Sequence, residues 1–261
     1  FSGTVVDKKT QEPIAYVNIG VVGYNVGVIS DEKGRFSINL GAVTNNEMLR
    51  FSILGYSPYQ TEISTLVAGQ NNIELEATNY ALPQIKVSAG KKVTVNQFGC
   101  KKPSKTTTGQ SGNKDFGFGG EWGVLIKKPT ESYQLKDISF HTRFNTVDSS
   151  LFRINVYTVS DGLPGQPLLK NELYVTSHRG DKWITTATLE ENVIIEEDII
   201  VSIEFIRIWY REQGDNYFFY THCKTGLDGT TTYHRDSSFD DWKVDQKPTL
   251  AIALAGYPLK E

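Results

Sequence analysis

The sequence has few of the residues that most often carry catalysis or bind metals. Its 261 residues include two cysteines, one methionine and four histidines. The histidines are His141, His178, His222 and His234, and none of them forms a His-Glu-x-x-His, His-x-His or His-x-x-Glu motif. Because zinc hydrolases take their ligands from such short motifs, the sequence offers no zinc site.

Other catalytic signatures are also missing. No Gly-x-Ser-x-Gly elbow occurs, and the run Gly117-Phe118-Gly119-Gly120 enters a predicted strand rather than the helix that a phosphate-binding loop requires. We therefore predict a protein that is not an enzyme and has no bound cofactor. A glycoside hydrolase is a third possibility, which requires two acids to meet in a cleft. The acids available for it are Glu121, Glu204, Asp236, Asp240 and Asp241.

Long apolar runs and a strong net charge are absent as well. No run approaches the roughly 20 residues that cross a bilayer as a helix. The net charge of −3 gives no electrostatic reason to expect binding to nucleic acid. Because the first six residues already alternate like a strand, we expect the chain to start inside its first domain. We also expect an N-terminal export signal or membrane anchor to have been removed.

Short apolar and alternating runs separated by turns fill the first third of the chain. Residues 3–6, 14–22, 48–53 and 73–75 are predicted strands, and residues 28–38 are predicted to form a hairpin. In that hairpin, Gly34 permits a positive φ, Asp31 caps the turn and Phe36 begins the core face of the returning strand. The pattern predicts a small β-sandwich over residues 1–87.

Residues 88–114 differ in composition from the segments on either side. They contain six lysines, no acid and a Thr- and Gly-rich end. Lysines without interleaved aromatics are typical of a solvated tether rather than of a nucleic-acid site. We therefore predict a linker here.

Residues 115–261 carry a second set of alternating segments. In one of them Ile138, Phe140, Thr142 and Phe144 are predicted to face inward. In the next, Phe152, Ile154 and Val156 are predicted to face inward, with Arg153, Asn155 and Tyr157 outward. Residues 161–167 are predicted to be a loop. Six or more strands without a helix predict two packed sheets, so the fold class is all-β, with this larger sandwich jelly-roll-like.

The two cysteines, Cys100 and Cys223, lie far apart and form no Cys-x-x-Cys pair. They are either one long-range disulfide or two buried thiols. A disulfide over such a span would restrict the unfolded chain by ~4 kcal/mol in the entropy model.

The N-terminal motifs resemble the carboxypeptidase regulatory-like domain, a transthyretin-like β-sandwich. They are Gly3-Thr4-Val5-Val6-Asp7, Glu12-Pro13-Ile14-Ala15-Tyr16-Val17-Asn18-Ile19, Ser30-Asp31-Glu32-Lys33-Gly34-Arg35-Phe36 and Leu54-Gly55-Tyr56. The resemblance covers residues 1 to about 87 and brings no catalytic residues with it. It implies a surface or outer-membrane protein of a Gram-negative bacterium.

The C-terminal segments are similar to the second half of uncharacterised two-domain envelope proteins that pair this regulatory-like domain with a sandwich. These segments include Gly120-Glu121-Trp122-Gly123, Phe152-Arg153-Ile154-Asn155-Val156-Tyr157 and Tyr233-His234-Arg235-Asp236-Ser237-Ser238. The resemblance implies an exported protein, located in the periplasm or at the cell surface. It supplies no site residues.

Aromatic residues are numerous in the second domain, and aromatic faces stack on sugar rings while nearby polar groups bind hydroxyls. The candidate ligand-binding residues are Trp209, Tyr210, Trp242, Tyr233 and Asp236. The alternative is that the tryptophans fill the core. Four loop aspartates are candidate calcium ligands, but no EF-hand-like spacing supports a site and solvated turns are the better explanation of them. They are Asp161, Asp236, Asp240 and Asp241.

We therefore expect a non-enzymatic exported envelope protein whose C-terminal sandwich binds a glycan or a partner protein. The alternative is a purely structural spacer or assembly module. An aromatic row on a solvent-facing sheet would favour binding, and fully buried tryptophans would favour the spacer.

Overall fold

The computed structural model describes residues 1–41, 43–66, 69–78, 95–111, 118–186, 188–213, 216–225, 231–246 and 249–259, without the side chains of residues 110, 111, 217 and 225. The described residues form strands joined by turns, with a single short 3₁₀ turn at Ile63–Thr65. The predicted all-β fold is confirmed. No helix in these ranges is long and apolar enough to span a membrane.

The first seven strands build the N-terminal sandwich. They are β1 (Ser2–Asp7), β2 (Asn18–Val21), β3 (Gly27–Ile29), β4 (Arg35–Ser37), β5 (Met48–Ser52), β6 (Tyr59–Glu62) and β7 (Gln70–Leu75). One sheet has the order β4-β1-β7, with β1 and β7 parallel, and the other is the antiparallel sheet β3-β2-β5-β6. Their apolar faces share one core that includes Val5, Ile19, Phe51 and Leu75.

The remaining strands build the C-terminal sandwich. They are β8 (Asn96–Gly99), β9 (Lys102–Ser111), β10 (Glu121–Ile126), β11 (Tyr133–Arg143), β12 (Ser149–Ser160), β13 (Leu163–Pro167), β14 (Leu173–His178), β15 (Trp183–Thr185), β16 (Ile194–Ile195), β17 (Ile199–Trp209), β18 (Tyr217–Thr225), β19 (Thr231–Arg235), β20 (Lys243–Gln246) and β21 (Ile252–Pro258).

Two seven-stranded sheets of this sandwich enclose a second core. The first has the order β13-β12-β17-β10-β19-β20, with β14 added to β12, and the second has the order β8-β21-β11-β18-β9, with β15 and β16 added to β11. Phe152 and Ile203 of the first sheet meet Phe140, Phe218 and Leu254 of the second in this core. The predicted pair of packed sheets is therefore present.

The predicted hairpin at residues 28–38 is wrong in its pairing. β3 pairs with β2, whereas β4 pairs with β1, so the turn passes from one sheet of the sandwich to the other. The turn chemistry itself is as predicted. Gly34 has φ 68°, and Asp31 Oδ1 accepts from the backbone N–H groups of Lys33 and Arg35.

The predicted linker also differs from the structure where it is described. Its residues 95–111 carry β8 and β9, which pair with β21 and β18 of the second sheet, while residues 88–94 and 112–114 lie outside the described ranges. Here the threonines and lysines of β9 belong to a sheet rather than to a solvated tether. The composition misled because a polar strand at a sheet edge has the same residue types as a tether.

A disulfide links the segment that carries these two edge strands to β18. Cys100 directly follows β8, Cys223 lies in β18, and the two are bonded with their Cα atoms 5.6 Å apart. Of the two alternatives for the cysteines, the structure has the disulfide.

Two further predictions fail at strand ends. Residues 161–167 were predicted to be a loop, but Asp161 and Gly162 form a tight turn with positive φ and β13 pairs back on β12. Phe144 was predicted to face the core, yet β11 ends at Arg143, and Phe144 has φ 58° and is 57% exposed. In each case a positive-φ residue ends the alternation.

Candidate functional site

Charged and polar side chains occupy the outer face of the first seven-stranded sheet. Because alternate residues of these strands face the core, the intervening residues point the other way. The outward residues include Glu121, Arg153, Asn155, Glu204 and Arg235, and the register places Glu204 opposite both Glu121 and Arg153. The N-terminal sandwich covers this face, so Glu121 and Glu204 are 0% exposed and Arg153 is 3% exposed.

Arg153 is the main polar contact between the two sandwiches. Within the C-terminal sandwich its Nη1 donates to Glu204 Oε2 at 2.9 Å, and its Nε pairs with Glu172. Across the junction its guanidinium donates to the Asn18 side chain and to the Tyr16 carbonyl. One side chain therefore ties β12 to β2 and to the loop before it.

Two further hydrogen bonds complete the polar junction. Asn18 Nδ2 donates to Glu204 Oε1 at 2.7 Å, and the backbone N–H of Leu54 donates to Glu172 Oε1 at 2.7 Å. Leu54 also packs against the core of the C-terminal sandwich. Polar and apolar contacts together fix the two sandwiches against each other.

Glu121 and Arg235 form a second buried pair beside the first. Arg235 Nη2 lies 2.5 Å from Glu121 Oε2, while Tyr157 and Ser202 donate to Glu121 Oε1. Asn155 Nδ2 joins the two pairs, since it lies 2.8 Å from Glu121 Oε1 and 3.4 Å from Glu204 Oε2. The two glutamates thus share one amide, and each has its own arginine.

Burial sets the protonation of these groups. It raises the pKa of Glu204, an effect that Arg153 opposes and Glu121 reinforces. Burial alone would lower the pKa of Arg153, but Glu204 and Glu172 outweigh it and the pKa lies well above its usual value. Glu121 raises the pKa of Arg235 in the same way, against its burial. Both arginines therefore remain charged.

A cleft of about 460 Å³ opens above this network, between the two sandwiches. The N-terminal wall is contributed by β5 and the residues after it, and the C-terminal wall by β12, β13, β19 and the segment that follows. Its lining residues include Arg50, Leu54, Tyr56, Arg153, Asn155, Tyr157, Gln166, Glu204, Arg235, Phe239 and Trp242. The cleft therefore combines aromatic walls with a charged floor.

Among the five predicted ligand-binding residues, Trp242 lies in this cleft. Its indole is half-buried, with the Arg235 guanidinium carbon 4.8 Å from the ring and the Tyr157 ring centroid 6.1 Å away. Contacts on two sides hold the indole in one orientation. An aromatic ring placed in this way is already ordered for a flat apolar ligand surface.

The structure does not bring the other four predicted residues to the cleft. Tyr233 is 3% exposed in the sheet, which makes it unsuitable as a ligand contact. Asp236 is exposed and paired with Lys243. Trp209 and Tyr210 are half-buried at the end of β17, where the Arg207 guanidinium lies 5.1 Å from the Trp209 ring.

Trp183 is the most exposed of the tryptophans in the described ranges, at 44%, and lies on the second seven-stranded sheet. Its ring centroid lies 5.0 Å from that of His141 in an edge-to-face arrangement, and Trp183 lines a groove together with Ser139 and Thr185. The aromatics are thus divided between the two outer faces. The described residues form neither the aromatic row on one solvent-facing sheet that would favour binding nor the fully buried tryptophans that would favour the spacer.

No group of three or more metal-ligating side chains converges in the described ranges. Of the loop aspartates considered for calcium, Asp236 and Asp240 both lie against the Lys243 ammonium. A cation already occupies the position between them.

Sequence reasoning found the acids of the site but not their partners. Glu121 and Glu204 were candidate carboxylates, and Arg153, Asn155 and Tyr157 were predicted to face outward from β12. One signal in the sequence could have grouped these residues into one site. Several strands that are otherwise strongly apolar each carry a charged residue at an outward-facing position. Asn18 and Leu54 cover this network from the N-terminal sandwich, and nothing in the sequence around them indicates that contact.

The fold and the site define an all-β protein of two sandwiches with a polar cleft at their junction. Residues 1–87 match the family model of the CarboxypepD_reg-like domain. The N-terminal sandwich is therefore a CarboxypepD_reg-like domain, as the sequence motifs indicated. No curated protein matches the chain.

Two solved structures of infectious bursal disease virus show a distant similarity. The VP2 subviral particle is 8% identical with a TM-score of 0.27, and the alignment covers 94% of this chain and 62% of that chain. The Gx strain structure is 8% identical with a TM-score of 0.24, covering 94% of this chain and 57% of that chain. The chain thus spans less than two thirds of each, and similarity at this level carries no functional argument.

Proposed function

We propose that this is a non-enzymatic glycan-binding protein of the bacterial envelope and that the cleft between its sandwiches holds the sugar. The observation that carries the proposal is Trp242, an indole that contacts Arg235 and Tyr157 on the wall of a cleft that also has amide and guanidinium groups in its lining. Sugars present an apolar ring face and a rim of hydroxyls, which matches an aromatic wall beside amide and guanidinium groups.

The size of the cleft supports a small oligosaccharide. About 460 Å³ lies within the range of roughly 300–1,000 Å³ that small-molecule sites occupy. The side chains of Asn155 and Gln166 are amides, which both donate to and accept from hydroxyl groups.

The paired glutamates favour binding over hydrolysis. A glycosidase needs one free carboxylic acid to protonate the leaving group and a second carboxylate that can reach the sugar. Glu121 and Glu204 are fully buried, and each carboxylate is held by an arginine and by further donors. Both carboxylates are therefore engaged in holding the sheet and the junction together.

An envelope location is supported by two observations. Disulfides such as Cys100–Cys223 persist in oxidising compartments. The CarboxypepD_reg-like domain resembles those of surface proteins in Gram-negative bacteria. We therefore propose a location outside the cytoplasm, in the periplasm or at the cell surface.

The test is calorimetric titration of the purified chain with a panel of neutral and acidic oligosaccharides. We expect one class to bind and Trp242→Ala to weaken it about tenfold or more, since stacked aromatic pairs and the area they bury contribute on the order of 1–3 kcal/mol. Trp183→Ala removes an exposed indole on the other sheet and should leave the affinity unchanged. An affinity that is the same in Trp242→Ala as in the wild type would contradict the proposal.

The same samples test for catalysis. After long incubation with the bound oligosaccharide we expect no new reducing ends. If no sugar binds at all, the spacer or a protein partner becomes the better explanation of the chain.

A further inference from the structure

We infer that the cleft takes an acidic sugar, a hexuronic acid whose carboxylate is bound by Arg50. This inference rests on the proposed function and narrows it to one chemical class of glycan. The observation behind it is the contrast between Arg50 and the other charged side chains that line the cleft.

Every carboxylate in or beneath the cleft already has a cation or a backbone donor. Glu121 is paired with Arg235, and Glu204 with Arg153. Glu172 is paired with Arg153 and accepts from the Leu54 N–H. No carboxylate of this network is left to neutralise another arginine.

Arg50 is the exception among the cleft arginines. It forms no ion pair with any residue in the described ranges, whereas Arg153 and Arg235 are each paired with a glutamate. Because Arg50 has no counter-charge in these ranges, its guanidinium is available to an anionic group that enters the cleft.

The surroundings of Arg50 hold the guanidinium at the cleft wall. Its carbon lies 5.2 Å from the centroid of the Phe239 ring, which also lines the cleft. On β5 its cross-strand neighbours are Gly20, which has no side chain, and Gln60, which is exposed. Neither neighbour brings a negative charge to it.

The chemistry of the guanidinium points to a carboxylate. Its planar fork of donors matches a carboxylate with two parallel hydrogen bonds, and hydrogen bonds to charged groups are the stronger ones. Trp242 lies in the same cleft and offers a surface for the sugar ring. A hexuronic acid carries both features, an apolar ring face and a carboxylate attached to the ring.

The test compares oligosaccharides of galacturonic acid and of glucuronic acid as free acids and as methyl esters, which differ only in charge at the carboxyl group. Calorimetric titration of the wild-type chain should show about tenfold or more tighter binding of one free acid, as expected for one charge-assisted hydrogen-bonded pair. Arg50→Gln should reduce that preference to near equality. Arg50→Lys, which keeps the charge but not the fork, should retain part of it.

The outcomes separate the two proposals. If acid and ester bind equally and Trp242→Ala weakens both, the site binds glycans but the role of Arg50 is overturned. A sulfated oligosaccharide that binds more tightly than either uronic acid would overturn the carboxylate assignment. If none of the sugars binds the wild-type chain, both proposals fail. The ester comparison needs no variant, so the test stands even if Arg50→Gln does not fold.

Discussion

Arg153 shows how much the function of a residue depends on what covers it. Its neighbours Phe152 and Ile154 face the core, so Arg153 faces outward, where an arginine is ordinarily solvated. Here the outward face lies under a second sandwich, and the guanidinium is 3% exposed. Its contacts with Glu204, Glu172, Asn18 and the Tyr16 carbonyl balance that burial.

We predict that Arg153→Ala destabilises the protein by about 3–5 kcal/mol, because it leaves buried carboxylates without a counter-charge. Arg207→Ala is the matched control. Arg207 pairs with Glu32 across the same junction, but both side chains are substantially exposed. Its loss should cost less than about 1 kcal/mol. Urea unfolding measures both, and similar costs for the two variants would show that burial is not what matters.

At the scale of elements, β9, β11 and β18 hold two histidines in partly buried positions. His141 Nδ1 lies 2.9 Å from Thr221 Oγ1, and His222 Nε2 lies 2.8 Å from Thr108 Oγ1. Burial lowers the pKa of both histidines from the usual 6.5, and Lys182 and Arg143 add to the effect at His141. Both imidazoles are therefore neutral in the folded protein at pH 7.

The lowered pKa values of the two histidines make the folded protein less stable at acidic pH. As the pH falls through 6.5, the unfolded histidines take up protons before the folded ones do, so stability is lost towards pH 5. We predict that the double variant His141→Gln/His222→Gln shows a smaller fall in melting temperature than the wild type between pH 7.5 and 5.

Glu204 contributes in the opposite direction, because its raised pKa adds stability on acidification. The wild type and the double variant both contain Glu204, so comparing the two at each pH cancels this contribution. His178→Asn, at an exposed position of β14, controls for the loss of an imidazole. A double variant that loses stability as steeply as the wild type would contradict this account.

For the whole molecule, the junction of the sandwiches depends on close backbone approach as well as on charges. A Cβ atom at Gly20 would lie 2.4 Å from the Ser238 carbonyl oxygen, and one at Gly27 would lie 2.9 Å from the same oxygen. Both glycines belong to the N-terminal sandwich, and Ser238 follows β19 of the other. The Ser238 carbonyl oxygen belongs to the backbone and cannot move without the rest of its strand connection. A methyl group at either glycine would therefore push the two sandwiches apart.

We predict that the wild-type chain unfolds in one calorimetric transition, because the two sandwiches share a buried polar network. Gly20→Ala should separate it into two transitions, one for each sandwich. Val22→Ala, at an exposed position next to β2, should keep a single transition. A single transition in Gly20→Ala would show that the close contact is not what couples the sandwiches.

The amino-acid sequence by itself determined the local features of this protein. Alternation placed Phe152, Ile154 and Val156 inward, the motifs of residues 1–87 identified the N-terminal domain, and Asp31 and Gly34 specified their turn. These features depend on neighbours in the chain, through side-chain period and backbone conformation, so local sequence is sufficient to predict them.

Only the tertiary structure decided the pairing of strands and the site. It placed β3 and β4 in different sheets, made the polar residues 102–111 an edge strand, and buried Glu204 and Arg153 under Asn18. It also brought Trp242 and Arg50, which are far apart in the sequence, into the lining of one cleft, while burying Tyr233. These outcomes depend on which parts of the folded chain pack against each other. The alternation of residues along a strand determines which side of the sheet a side chain is on, but not which element covers that side.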